Sequence, residues 1–382
     1  MDYSRVINEI FSQFTGPKFA VKLWDGSVRY YGTGDSTLFT LIINDSMAVQ
    51  RLLAQGALGF GESYMEGKIQ IEGDIEAYLR LRYQFKRVKR SWRLILATFI
   101  ANRNVPRNRK DQIAYHYDLG NDFFQMFLDP QTMSYSAGRY ENGSKDLSIA
   151  QHKKLELICK WVGLPKGSTI LDVGSGWGGV AQYAAKKIDW NITGYTLSDE
   201  QLKFSRDVIK RNGLENLVSF EYRDMMENLP ESEFDGVVMI ESIEHVGKNK
   251  LPEFFEGISK TLKPGGPLVL QLTGRYKPRA VDLWTLKYVF PGGYLPAKEE
   301  LISAANLAGF SVEEFRDDTS DYILTMTEWI KRLESHKDDI EKKFDKSFYR
   351  LWELWMHGAK VAFEIETMSL FRIKLRREVD PR

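Results

Sequence analysis

The chain has 382 residues, and 43% of them are hydrophobic, which is enough for two domains with separate cores. No stretch approaches the roughly 18 apolar residues of a membrane span, and residues 1–5 show no signal-peptide pattern, so we expect a soluble, cytoplasmic protein. The single cysteine, Cys159, excludes a disulfide within the chain, as is typical of a reducing compartment. The net charge of +1 indicates no particular partner.

Residues 1–101 are predicted to form a small α+β domain. Residues 18–31 alternate like two strands around the turn Asp25-Gly26, and residues 46–55 have helical spacing. Residues 56–67 contain four glycines in twelve positions, which predicts turns or close approach of backbones.

A basic segment follows, at residues 80–110. It carries eleven Lys and Arg side chains, no Asp or Glu, and four interleaved aromatic residues. This composition favours an anionic surface, either lipid head groups or nucleic acid. The plainer alternative is a solvated helix face followed by a linker, which we place at residues 102–111. An aromatic helix is predicted over residues 115–129.

From residue 168 the pattern alternates between strands and helices, which predicts an α/β domain over residues 112–382 with a mostly parallel sheet. The candidate strands are residues 169–173, 192–197, 218–222, 236–240 and 268–272, and the candidate helices are residues 180–187, 200–212 and 252–262. Later helices are predicted at 280–289, 298–308 and 322–344, before a last strand at 365–377. Helical insertions between late strands predict a substrate lid.

A glycine-rich stretch at residues 170–179 joins a buried strand to a helix, the place where such domains hold a nucleoside cofactor. The spacing Gly174-x-Gly176-x-Gly178 differs from the G-x-G-x-x-G of dinucleotide folds. With Asp172 two residues earlier, it indicates S-adenosylmethionine rather than NAD. The alternative is a tight turn without a ligand.

Polar residues at the ends of the next strands extend this candidate site. Thr196 and Gln201 stand where an acidic ribose ligand is usual. Asp224 is interpreted either as an acceptor for an adenine amine or as a helix cap. The fourth strand ends in Glu241-Ser242-Ile243-Glu244-His245, and Glu244 is the first candidate for a base or anion ligand. The histidine and cysteine spacings predict no metal site.

Together these elements resemble the cyclopropane fatty acid synthases, including the mycolic acid cyclopropane synthases. The resemblance covers nearly the whole chain. It rests on residues 59–67, 116–124, 133–136, 171–179, 194–201, 244–247, 287–293, 321–322 and 329.

The resemblance implies a class I S-adenosylmethionine-dependent methyltransferase fold, Rossmann-like with an antiparallel last strand. It implies methylene transfer to cis double bonds of unsaturated phospholipid acyl chains. The predicted cofactor-binding residues are Tyr135, Ser136, Asp172, Gly174, Ser175, Gly176, Thr196, Leu197, Gln201, Arg223, Asp224 and His245.

The family also binds bicarbonate beside the methyl group. Glu244 and Tyr322 match two of its ligands and Thr273 supplies the backbone position, but Ala137 replaces a Cys and Gln271 a His. These five residues form the predicted catalytic set, with bicarbonate or Glu244 as the base. Tyr117, Phe290 and Tyr322 are candidates for stabilising a carbocation, each with core packing as the alternative.

Three alternatives remain open from the sequence. A lipid methyltransferase making methylene- or methyl-branched chains comes first, then a small-molecule methyltransferase, then a catalytically inactive lipid-binding module. The resemblance implies peripheral association with the inner face of the membrane, no nucleic acid partner, and allows a homodimer.

Overall fold

The structure is a computed structural model that describes residues 2–87, 120–141, 143–227 and 229–379, without the side chains of residues 85–87. The chain divides into two compact units. Unit 1 comprises Met1–His116, Asp282–Pro291 and Leu333–Val361, and unit 2 comprises Tyr117–Val281, Gly292–Arg332 and Ala362–Arg382. The predicted linker, most of the basic segment and the motif at residues 116–118 lie outside the described residues.

Unit 1 contains a four-stranded sheet in the order β2-β1-β3-β4, in which only β1 and β3 are parallel. The strands are β1 (Phe19–Lys22), β2 (Val28–Tyr31), β3 (Phe39–Ile43) and β4 (Ile69–Gly73). The predicted hairpin is confirmed as β1 and β2, which are joined through the turn at Asp25-Gly26. The helix Ser46–Gln55 confirms the helical spacing, and β3 and β4 were not predicted.

Most of the glycine-rich residues 56–67 form a helix, Ala57–Met65, so of the two predicted alternatives, turns or close approach, they follow the second. Close approach of neighbouring atoms was correctly predicted. A Cβ on Gly59 would lie 2.1 Å from the carbonyl oxygen of Arg51, and one on Gly61 would lie 2.3 Å from the Trp284 ring. Small residues are therefore needed on this helix for packing rather than for bending the chain.

Three separate stretches of chain build unit 1. The Tyr64 hydroxyl donates to Glu353 at 2.5 Å. Glu76 accepts from Lys360 at 2.8 Å and contacts His357 at 3.0 Å. Residues 282–291 and 333–361, which the sequence assigned to the second domain, thus belong to unit 1. The remaining helices of this unit are Tyr3–Phe11, Ile75–Leu81, Leu283–Tyr288, Lys337–Lys343 and most of Lys346–Glu364.

Unit 2 contains a seven-stranded sheet in the order β10-β11-β9-β8-β5-β6-β7. Its strands are β5 (Thr169–Val173), β6 (Asn191–Thr196), β7 (Val218–Tyr222), β8 (Gly236–Ile240), β9 (Pro267–Gly274), β10 (Phe310–Asp317) and β11 (Ser369–Arg377). Strands β5 to β9 are parallel, while β11 is antiparallel to both β9 and β10. The predicted α/β class with an antiparallel last strand is confirmed.

The helices of unit 2 cover both faces of the sheet. Their bounds are Asn121–Gln125, Leu147–Val162, Gly179–Ile188, Asp199–Arg211, Leu251–Thr261, Lys298–Leu307 and Thr319–Ser335, the last of which ends in unit 1. The prediction of one helix over residues 322–344 was wrong. His336 has ψ of 17° and separates two helices, Thr319–Ser335 and Lys337–Lys343.

Two apolar cores, one on each face of this sheet, position the carboxyl ends of the parallel strands. One core includes Phe254 and Phe255, and the other includes Trp161 and Trp190. The strand order reverses between β5 and β8, and ligands of open α/β sheets bind at such a switch point. In the described ranges, no helix is long and apolar enough to cross a membrane.

Candidate active site

The glycine loop after β5 is open toward a ligand on one side and packed on the other. Gly174, Gly176 and Gly178 all have positive φ, at 76°, 53° and 81°, which glycine adopts without strain. A Cβ on Gly174 would lie 2.4 Å from Ser242 Oγ. At Gly176, such a Cβ would have no atom of the described residues within 4 Å beyond the glycine itself and its chain neighbours.

Neighbouring strands hold the loop in this shape. The backbone N–H groups of Gly174 and Ser175 donate to the Tyr195 carbonyl oxygen at 3.0 and 2.8 Å. The Ser242 hydroxyl donates to the Val173 carbonyl oxygen at 2.8 Å. The loop is therefore fixed from both β6 and β8, at the switch point.

Asp172 presents a buried acceptor at the start of the loop. The residue is 2% exposed, and its Oδ2 has no hydrogen-bond partner among the described residues. Burial raises the pKa of this carboxyl to about 7, while nearby Lys154 lowers it. An unpaired buried carboxyl oxygen is costly, and the ammonium group of an S-adenosylmethionine would satisfy it. The residues present thus fit that cofactor.

The ends of β6 and β7 supply the other predicted cofactor residues. The Thr196 hydroxyl donates to the Gln201 amide oxygen at 2.9 Å, which leaves the amide nitrogen to face away from it. Leu197 is half exposed beside them. After β7, Asp224 Oδ1 accepts from the Met226 N–H at 2.9 Å, so Asp224 caps a turn.

Arg223 and His245 flank the same edge of the sheet. The Arg223 guanidinium lies 5.3 Å from the centre of the Tyr195 ring, and one of its nitrogens is 3.3 Å from the Tyr195 hydroxyl. His245 ends the short 3₁₀ helix Ile243–His245. The roles predicted for these side chains remain predictions.

The segment Tyr135-Ser136-Ala137 lies at this edge too. The Tyr135 ring stacks on Trp329 with centres 5.3 Å apart. Ser136 is buried, and its carbonyl oxygen accepts from Gln151 Nε2 at 2.8 Å. Ala137 is fully buried.

Glu241 is the carboxylate around which the predicted catalytic residues gather. Its Oε1 accepts from the Ala137 N–H and from Gln271 Nε2, both at 2.8 Å. Its Oε2 accepts from the Tyr322 hydroxyl at 2.7 Å. Burial raises the pKa of Glu241, and these three hydrogen bonds oppose that rise. Three of the five residues in the predicted catalytic set thus donate to a carboxylate of the chain itself.

The backbone of Glu241 is strained to reach this position. Its φ of 50° lies in the left-handed region, which costs a residue with a Cβ about 1 kcal/mol. Such strain persists where the surroundings hold it, and it clusters at functional sites. Here the three donors hold the carboxylate.

Gln271 is oriented by a buried arginine on β11. Arg372 is 0% exposed, and its Nε donates to Gln271 Oε1 at 2.7 Å. Because a guanidinium can only donate, the amide oxygen of Gln271 faces Arg372 and its nitrogen faces Glu241. Arg372 also pairs with Asp321 at 2.7 Å and with Asp318.

Glu244 has a different environment from Glu241. Its Oε1 accepts from the Thr273 N–H at 2.6 Å, and its Oε2 is buried without a partner among the described residues. Burial and the charge of Glu241 together raise its pKa to about 8. The five residues of the predicted catalytic set therefore divide into two groups: Thr273 binds Glu244, whereas Ala137, Gln271 and Tyr322 bind Glu241.

The structure describes two of the three aromatic residues that were predicted as candidates for stabilising a carbocation. Tyr322 stacks on Phe363 with ring centres 4.3 Å apart, in unit 2. Phe290 packs on Trp355 at 5.6 Å, in unit 1. Tyr117 lies outside the described residues. Among the residues that are described, no cluster of His, Cys, Asp or Glu has the arrangement of a metal site.

Three residues of this site were absent from the predicted set, and each had a signal in the sequence. Glu241 directly follows β8 and obeys the same strand-end rule as Glu244. Lys154 lies on the apolar stripe of the helix Leu147–Val162. Arg372 interrupts an apolar run in β11. For Lys154 and Arg372, the signal is a charge at a position patterned for the core.

This fold and this edge of the sheet define a class I S-adenosylmethionine-dependent methyltransferase. Solved structures of methyltransferases of this class have the same fold. The cyclopropane synthase MmaA2 from Mycobacterium tuberculosis is 26% identical with a TM-score of 0.65, covering 70% of this chain and 98% of that one. The mycolic acid cyclopropane synthase CmaA1, complexed with SAH and CTAB, aligns with the same values.

The sequence comparison identifies the family. The model described as mycolic acid cyclopropane synthetase matches residues 105–373, and the chain belongs to this family. A second model, a domain of unknown function (DUF7884), matches residues 6–89.

Two relatives named for lipid chemistry match most of the chain. A "Probable fatty acid methyltransferase" from Pseudomonas putida is 30% identical over 92% of this chain and 90% of its own length. The cyclopropane-fatty-acyl-phospholipid synthase of Escherichia coli K12 is 30% identical over 87% of this chain and 86% of its own. The chain is thus a methyltransferase of this family, and its fold neighbours include one solved with SAH bound.

Proposed function

We propose that the chain transfers a methylene carbon to cis double bonds of unsaturated phospholipid acyl chains, forming cyclopropane fatty acids, with Glu241 as the base. The observation that carries this proposal is the set of donors around Glu241. In the family that the sequence resembles, equivalent positions bind bicarbonate, and here a side-chain carboxylate accepts hydrogen bonds from residues at three of those positions.

S-Adenosylmethionine supplies an electrophilic methyl group, and its transfer to an alkene leaves a carbocation on the acyl chain. The residues of the site then have two tasks. The Tyr322 ring, stacked on Phe363, offers an aromatic face to the cation. Glu241 accepts a proton from the new methyl carbon, and the electron pair of that C–H bond closes the ring. Exclusion of water protects the cation from capture as an alcohol.

The hydrogen bonds to Glu241 suit a base. Burial raises its pKa above the ordinary range of a glutamate, which makes it a stronger proton acceptor. The donors from Tyr322, Gln271 and Ala137 keep the ionised form accessible and fix its direction. We infer that this carboxylate replaces bicarbonate in this chain.

The first experiment identifies the product. The protein is incubated with S-adenosylmethionine and vesicles of unsaturated phospholipid, and the fatty acids are analysed by NMR and mass spectrometry. Cyclopropyl protons support the proposal. A gain of one CH₂ unit with the olefin retained would instead support the second candidate function, a methylene-forming lipid methyltransferase.

That second candidate is favoured by the same tethered base. A base fixed to the end of β8 can reach only the protons that the bound acyl chain presents to it. A base that is not placed against the new methyl when the cation forms lets the hydrogen on the methylated carbon migrate to the cationic carbon, and removal of a methyl proton then gives a methylene branch instead of a ring.

The second experiment tests Glu241 itself. Glu241→Ala is expected to lower activity by at least 100-fold, the usual contribution of a general base, and added bicarbonate is expected to restore part of it. The matched control is Glu233→Ala, which changes an exposed residue just before β8. This variant should have parental activity. Full activity of Glu241→Ala without bicarbonate would contradict the assignment, and phosphate serves as the anion control.

We further propose that the basic segment, residues 80–110, docks the protein on an anionic membrane surface. Each basic residue near such a surface contributes about 1 kcal/mol. Charge reversal at Lys86, Arg87, Lys89 and Arg90 is therefore expected to weaken binding to anionic vesicles in a sedimentation assay at low salt. Unchanged binding would refute this role.

A further inference from the structure

Lys154 is a lysine at a position where an apolar residue would cost less. It lies on the inner face of the helix Leu147–Val162 and is 1% exposed. Its Nζ donates to Ser136 Oγ at 2.9 Å. One turn earlier, Gln151 donates to the carbonyl oxygen of the same Ser136 at 2.8 Å. Burial of an ammonium group is expensive, so its presence calls for a functional reason.

We propose that Lys154 is a positioning residue of the cofactor site, which holds the segment Tyr135-Ser136-Ala137 in place and supplies positive charge that favours the ionised form of Glu241. The predicted site does not include this residue. The positioning role concerns cofactor binding alone, whereas the electrostatic role rests on the proposed function of Glu241 as a base.

The positioning follows from the contacts of Ser136. Its backbone and its hydroxyl are both held by the helix Leu147–Val162. On one side, Tyr135 stacks on Trp329. On the other, the N–H of Ala137 donates to Glu241. Fixing Ser136 therefore fixes both a predicted cofactor contact and a donor to the base.

The charge of Lys154 interacts with four other charged groups, which lie on separate elements. Asp129, Asp172 and Glu241 stabilise the charged form of Lys154, whereas Arg372 and burial oppose it, and the pKa of Lys154 falls to about 7. In return, Lys154 lowers the pKa of Asp172 and of Glu241. Removal of the ammonium would raise the pKa of Glu241 further, so that more of this carboxyl would be protonated at a given pH.

The first test is Lys154→Met, which keeps an unbranched side chain one atom shorter but removes the charge and the donor. The affinity for S-adenosylhomocysteine, measured by titration calorimetry without any lipid, is expected to fall about tenfold or more. The control is Lys153→Met on the same helix, because Lys153 is partly exposed and pairs with Glu156 at the surface. It should bind like the parent.

The second test separates the hydrogen bond from the charge. Ser136→Ala removes the acceptor but keeps the ammonium, so cofactor affinity should fall while the acidic limb of the pH–rate profile stays in place. In Lys154→Met that limb should move to higher pH, which a purely structural role would not cause. If Lys154→Met fails to fold, Lys154→Arg replaces it, and its limb should remain at the parental pH.

Each part has an outcome that overturns it. Parental affinity for S-adenosylhomocysteine in both Lys154→Met and Ser136→Ala would reject the positioning role. An unmoved limb in folded Lys154→Met, or a moved limb in Lys154→Arg, would reject the electrostatic role. Failure of the proposed function itself appears differently, as a parent protein that binds the cofactor but modifies no lipid.

Discussion

Glu241 and Glu244 are three residues apart in the sequence, but they accept different numbers of hydrogen bonds. Glu241 receives three hydrogen bonds, whereas Glu244 receives one from Thr273 and has a buried oxygen without a partner among the described residues. Like charges close together cannot both ionise easily. At neutral pH we therefore assign the negative charge to Glu241 and the proton to Glu244, whose pKa is raised to about 8.

This assignment predicts how stability depends on pH. A carboxyl with a raised pKa in the folded state contributes stability below its unfolded pKa, and loses that contribution as pH rises through the folded value near 8. Glu244→Gln cannot ionise. Between pH 5 and 8.5, the melting temperature of the cofactor-free parent should thus fall more steeply than that of the variant.

The comparison is made by differential scanning calorimetry at several pH values. Glu256→Gln is the control, because that carboxylate is exposed and pairs with Lys260 on the surface. It should retain the pH dependence of the parent. Parallel curves for the parent and Glu244→Gln would contradict the raised pKa.

At the scale of the elements, the antiparallel strand β11 contributes a central residue of the site, Arg372. It pairs with β9 along its whole length, so that Arg372 lies opposite Gln271. From there Arg372 reaches Gln271, the Gly138 carbonyl oxygen and two aspartates. One buried cation thereby links the sheet, the segment after Ala137 and the start of the helix Thr319–Ser335.

Arg372→Met should destabilise unit 2 by about 3–5 kcal/mol, because it leaves Asp318 and Asp321 without their buried partner. Arg376→Met is the matched control on the same strand. Arg376 pairs with Glu313 at 2.6 Å near the surface, where a pair contributes at most about 1 kcal/mol. Urea denaturation measures both variants, and equal losses would contradict this account of Arg372.

At the scale of the whole molecule, unit 1 is assembled from distant parts of the chain. Residues 282–291 and 333–361 carry apolar side chains that are buried, among them Trp284 at 6% and Trp352 at 1% exposure. Trp284 lies against Gly61, and Glu353 accepts from Tyr64. The stretch before residue 112 is therefore needed to cover the later segments.

A chain beginning at residue 112 should consequently aggregate or melt at a lower temperature than the full chain. Its exposed tryptophans should bind a hydrophobic dye such as ANS. Coexpression of residues 1–101 as a separate polypeptide is the control, and is expected to restore a soluble complex. A truncated chain that melts like the parent would show that residues 112–382 form an independent domain.

Local sequence patterns were sufficient for much of the sheet. Strands β5, β7 and β8 and the helix Ser46–Gln55 begin and end where their apolar patterns predicted. Strand β10 was missed because it is a largely exposed edge strand rich in charge. The cofactor loop was predictable as well, because its glycines have positive φ angles that other residues rarely adopt.

The sequence by itself determined the fold class, the cofactor and the family, since these depend on periodicity, glycine spacing and the order of motifs. Only the tertiary structure decided which carboxylate receives the donors. Ala137, Glu241, Gln271 and Tyr322 are far apart in sequence and meet through hydrogen bonds across separate elements. No local pattern encodes such contacts, because the partner of a buried polar group is set by packing of the whole sheet.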